Sequence, residues 1–92
     1  MNLHLFVTVP PRLTRKPSNQ TVIETGTVTF YCNATGNPVP KITWTKDGKT
    51  VGTEDTLSFV THRNHSGEYL CSADNGLNAT VVASANLDVQ CK

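Results

Sequence analysis

Tyr69-Leu70-Cys71-Ser72-Ala73-Asp74-Asn75 is the stretch that decides how the rest of the chain is read. Tyr69, Cys71 and Ala73 alternate with Leu70, Ser72 and Asp74, the period-2 pattern of a strand with one buried face and one wet face. The same alternation recurs upstream. Val28, Phe30 and Cys32 interleave with Thr27, Thr29, Tyr31 and Asn33 as one predicted half-buried strand, and Ile42 and Trp44 interleave with Lys41, Thr43 and Thr45 as another. Leu57 and Phe59 point inward from a further run, and Ala85, Leu87 and Val89 from the last. Lys46-Asp47-Gly48-Lys49 reads as a hairpin turn in which Gly48 supplies a positive φ. Gly, Pro and Asn clusters separate the runs, and none carries a helical period. Short strands at this spacing predict an all-β, two-layer sandwich rather than a βαβ fold.

Length and charge narrow the function classes. At 92 residues the chain is one domain, and domains of this size bury only about two thirds of the surface their unfolded chain exposes. Eight basic and seven acidic residues give a formal charge of +1, which points to neither nucleic acid nor an anionic membrane. No run approaches the roughly 20 apolar residues of a membrane span, so direct insertion by this segment is not expected.

Further motifs flank the strands: Pro10-Pro11-Arg12-Leu13-Thr14, Gly36-Asn37-Pro38-Val39-Pro40-Lys41-Ile42-Thr43-Trp44 and Ala85-Asn86-Leu87-Asp88-Val89. Together with Cys32, Trp44 and Tyr69-Leu70-Cys71, they resemble the intermediate-set (I-set) immunoglobulin domains over roughly residues 10–90. Residues 36–44 are similar to that family's G-x-P-x-P-x-I-x-W, and residues 69–75 to its Y-x-C-x-A-x-N. The resemblance implies an immunoglobulin-like Greek-key sandwich with a Cys32–Cys71 disulfide between its sheets. It also implies that Trp44 packs on that bond and that the Tyr69 hydroxyl ties a corner to the backbone. Closing a loop of about 40 residues in this way contributes roughly 4 kcal/mol in the chain-entropy model. Two positions depart from the family pattern. His65 stands where an Asp, often paired with an Arg, is usual, and Asn78 stands where a Gly is usual.

The domain is expected to cover residues 10–92. Leu3, Leu5, Val7 and Val9 alternate ahead of the double proline, so residues 1–9 read as a linker or the tail of a preceding domain. A vector remnant and a genuine first strand are the alternatives. Asn19, Asn33, Asn64 and Asn78 each begin an Asn-x-Ser/Thr acceptor for N-glycosylation. With a core disulfide they favour the secretory route and an extracellular, cell-surface or secreted location. Asn19 and Asn33 are expected on or beside the sheet opposite the one that carries Trp44, Cys71 and Leu87. Cys91 is a leftover thiol past the last strand, expected to lack a partner within the chain.

Catalysis and metal binding find no support. No histidine stands with a serine and a third orienting group, no Gly-rich phosphate loop occurs, and His62, His65 and Cys91 have no zinc-ligand spacing. No cofactor is expected. Leu87-Asp88-Val89 spells an integrin-recognised tripeptide, but Leu87 and Val89 fit inward strand positions. Arg12, Arg15 and Lys16 make a small basic cluster, read by default as a solvated edge. The expected function is a non-catalytic protein-binding, cell-adhesion or receptor ectodomain module, with homophilic or heterophilic protein partners and neighbouring immunoglobulin-type domains. A structural spacer in a tandem array and an intracellular cytoskeletal or sarcomeric scaffold are the alternatives. The expected partner face holds Thr43, Thr45, Leu70 and Ser72, with Leu70 as its single large apolar residue.

Overall fold

The computed structural model describes residues 7–77 and 80–92. Nine strands and one 3₁₀ turn follow in order: β1 (Val9–Arg15), β2 (Gln20–Ile23), β3 (Thr27–Tyr31), β4 (Asn33–Asn37), β5 (Lys41–Lys46), β6 (Lys49–Gly52), β7 (Thr56–Val60), the turn Arg63–His65, β8 (Gly67–Asp74) and β9 (Thr80–Gln90). One layer is a five-stranded sheet in the order β2-β9-β8-β5-β6. The other is built from two antiparallel ladders, β1 with β4 and β3 with β7.

The run predicted as one strand from Thr27 to Asn33 is divided. β3 ends at Tyr31 and pairs with β7, whereas β4 starts at Asn33 and pairs with β1. Cys32 sits at the junction, where its N–H donates to Asp55 O at 2.8 Å. β1 begins at Val9, opposite Asn37. Residues 1–6, most of the predicted tail, lie outside the described residues.

The alternating apolar positions meet between the layers. Val28, Phe30, Cys32, Trp44, Leu57, Tyr69, Cys71, Ala85, Leu87 and Val89 form one buried cluster. Cys32 and Cys71 are bonded, joining the β3/β4 junction to β8 across the sandwich. Trp44 is wholly buried, with its ring centroid 6.1 Å from that of Phe30. Its indole N–H donates to Glu54 O at 2.7 Å, so the polar edge of the ring is satisfied inside an apolar core. Thr61, the buried polar residue, donates its hydroxyl to Gly26 O at 2.8 Å.

Turn chemistry sets the register of the β5–β6 hairpin. Asp47 (φ 53°) and Gly48 (φ 78°) are both left-handed, the conformation a two-residue turn needs to match strand twist. Only Thr53, Glu54 and Asp55 connect β6 to β7, so the chain crosses from one layer to the other without an intervening strand. The second layer therefore ends at β7.

Candidate functional site: the outer face of the five-stranded sheet

Pairing register arranges the outward side chains of β5, β8 and β9 in rows. Thr45 lies opposite Leu70 and Leu70 opposite Ser84; one row along, Thr43 lies opposite Ser72 and Ser72 opposite Val82. Thr50 on β6 extends the first row beside Thr45. The centre of this face is thus uncharged. Charges flank it, with Lys41 opposite Asp74 at one end and Glu68 opposite Asn86 at the other. Protein interfaces likewise are depleted of charge at the centre and polar at the rim.

Thr43, Thr45, Leu70 and Ser72 are all half-buried, since each is flanked by paired strands. The expectation of a single large apolar residue is corrected. Val82 is 54% exposed beside Ser72, and Ile23 is 57% exposed on β2, opposite Gln90. Ile23 was missed because the sequence does not reveal that β2 joins this sheet beside β9. Alternation back from the buried Ala85, Leu87 and Val89 through half-buried Ala83 and Val81 would have flagged Val82 as outward.

The glycosylation candidates fall in three different places. Asn33, half-buried on β4, pairs with Arg15 of the second layer. Asn64 is exposed in the 3₁₀ turn, and the Ser66 hydroxyl of its acceptor motif accepts the Val89 N–H at 2.9 Å. Asn19 is a correction. It was expected beside the second layer, yet its Oδ1 accepts the Asn86 N–H at 2.8 Å, at the edge of the five-stranded sheet. The chain changes layers after β1: Lys16-Pro17-Ser18-Asn19 leads into β2, which runs parallel to β9. Asn78 lies outside the described residues.

At the far end of the sandwich, the departure at His65 has its own chemistry. Tyr69 donates its hydroxyl to His65 O at 2.6 Å, while His65 Nδ1 accepts the His62 N–H at 2.8 Å. The His65 ring stands edge-on to Phe59 at 4.8 Å. Burial, then His62, then Lys46 hold the His65 pKa below its ordinary value. Burial, and secondarily Asp47, raises that of Tyr69. These shifts favour the uncharged forms that the two hydrogen bonds require. Cys91 is exposed and unbonded beyond β9, and Asp88 is exposed mid-strand between buried Leu87 and Val89.

Residues 10–75, more than half of the chain, match the family model described as "Immunoglobulin domain". The chain belongs to the immunoglobulin superfamily. This immunoglobulin domain is 36% identical over 95 residues to tyrosine-protein phosphatase Lar of Drosophila melanogaster, a match covering 87% of the chain and 5% of that protein. It superposes on the N-terminal Ig1-2 module of the Drosophila receptor protein tyrosine phosphatase DLAR with a TM-score of 0.82 and 35% identity, covering 90% of this chain and 50% of that one. Dpr11 IG1 bound to DIP-gamma IG+IG2 gives a TM-score of 0.84 at 28% identity, covering 91% and 49%. The domain thus spans a small fraction of the curated relative it matches.

Proposed function

We infer that this immunoglobulin domain is an extracellular, non-catalytic module of a cell-surface receptor or adhesion protein. It engages a protein partner through the outer face of β5, β8 and β9. The observation that carries the reading is the row geometry, in which Leu70 and Val82 rise from an uncharged field of Thr and Ser with charges at both ends. The likeness to an immunoglobulin domain crystallised bound to others of its kind supports a protein partner. The Lar relatives and the disulfide support the secretory route. The segment ahead of β1 is then the tail of a preceding domain. Glycans on Asn33 and Asn64 leave the face bare, and one on Asn19 borders it near Asn86.

The test uses the full-length, glycosylated protein displayed on cells, scored for binding to its own copies and to cells of its source organism. Leu70→Glu and Val82→Glu are expected to lower binding by about tenfold or more, as interface centres do. Thr27→Glu on exposed β3 leaves it unchanged. The reverse pattern overturns the face, and no effect from any of the three leaves the domain as a spacer.

A further inference from the structure

β7 is an unguarded edge. Thr56–Val60 pairs with β3 on one side, and among the described residues no strand pairs with it on the other. Cys32 N–H donates to Asp55 O, and Thr61 N–H to Gly26 O. Antiparallel alternation between those two bonds turns the peptide groups of Leu57 and Phe59 toward β3, and those of Thr56, Ser58 and Val60 toward the free side. Proteins blunt exposed edges with charges, proline or bulges. Thr56-Leu57-Ser58-Phe59-Val60 has no charge and no proline, and its ladder with β3 runs without a register shift. Beside it, Val51, Leu57, Phe59 and Tyr69 help to line an open notch of about 270 Å³.

The charges on either side of the strand select the occupant. Glu54-Asp55 precede it and His62-Arg63 follow it, all four exposed. Arg63 stays 72% exposed even though its Nε meets Glu24 Oε2 at 3.5 Å. A parallel copy would set like charges side by side. An antiparallel copy related by a two-fold axis at Ser58 sets Ser58 against Ser58, Thr56 against Val60, and Glu54 against His62 with Arg63 adjacent. We propose that β7 is a self-association edge, along which two copies of this chain pair antiparallel through Thr56–Val60, with Glu54 of each copy facing His62-Arg63 of the other. The free peptide groups of Thr56, Ser58 and Val60 then all gain partners. Five residue pairs make a small interface, so half-association falls in the range of about 10 μM to 1 mM. This edge is separate from the face that holds Leu70 and Val82.

The experiment is sedimentation equilibrium on the unglycosylated 92-residue chain carrying Cys91→Ser, which removes any disulfide-linked dimer. A reversible monomer–dimer equilibrium is expected. Ser58→Pro should weaken it by about tenfold or more while the ladder to β3 survives, because the lost N–H faces the free side. Ser58→Lys, which keeps the backbone donor, should do the same by placing two cations on the axis. Glu54→Lys and His62→Glu should each weaken the dimer, and the double exchange should restore it. Leu70→Glu should leave it unchanged. A monomer up to about 1 mM, a dimer untouched by both Ser58 variants, or one abolished only by Leu70→Glu overturns the proposal.

Discussion

His65 is the residue at which this domain departs most from the I-set pattern, and the departure makes a prediction about pH. Its Nδ1 must be unprotonated to accept the His62 N–H. Burial, His62 and Lys46 lower its pKa in the folded state. Between that lowered value and the ordinary 6.5, the unfolded chain binds more protons than the folded one. The stability contributed by neutral His65 is therefore complete above about pH 6.5 and is lost as pH falls through the lowered folded value. The urea midpoint should fall on acidification through this window. His65→Asp, which can accept the same N–H as a carboxylate, should flatten the profile there. A wild-type midpoint independent of pH from about 7 to 5 would refute the cap. The sequence identified His65 as unusual. It could not show that Phe59, Lys46 and the His62 backbone converge on the ring, because those residues come from separate elements.

At the level of elements, the β5–β6 hairpin and β9 behave differently. The hairpin was legible because its geometry is local: Asp47-Gly48 has a left-handed requirement that few dipeptides meet cheaply. No other residue lies near the position a Cβ on Gly48 would occupy, so Gly48→Ala tests conformation alone. It should cost roughly 1–2 kcal/mol in denaturant unfolding, the penalty for an L-residue in the left-handed region. A loss under about 0.5 kcal/mol would mean that the turn tolerates the change as an ordinary surface site does. β9 is not local. It pairs antiparallel with β8, the strand just before it, but also parallel with β2, which lies far back in the sequence. For that reason Ile23 went unseen, whereas Val82 was recoverable from the alternation within β9 and Leu70 lay inside a recognised motif.

Across the whole molecule, the Cys32–Cys71 bond ties the two layers of the sandwich to each other. Replacing both cysteines with alanine should lower stability by roughly 2–5 kcal/mol, with part of the loss arising from the freer unfolded chain. Cys91→Ser should change it by less than about 0.5 kcal/mol, because Cys91 is exposed and unbonded. Thiol titration of the native chain should find one reactive group, from Cys91. Extra thiols appearing only in denaturant, two for each unformed bond, would mean the core disulfide is incomplete.

Legible in the sequence alone were the inward residues of β3, β5, β7, β8 and β9, the β5–β6 hairpin and the motifs whose resemblance implied the Cys32–Cys71 pair. The inward positions and the hairpin depend on period-2 alternation or on residues within one turn, which a linear reading captures; the cysteine pairing was implied by the resemblance to I-set domains. Not legible in the sequence was the passage from one layer to the other through Lys16-Pro17-Ser18-Asn19, which places Asn19 against Asn86. The same holds for β7, which among the described residues has no outer neighbour. These outcomes follow from register and from which strands become adjacent. Pairing energy is shared between strands distant along the chain, so neither strand's own residues encode it.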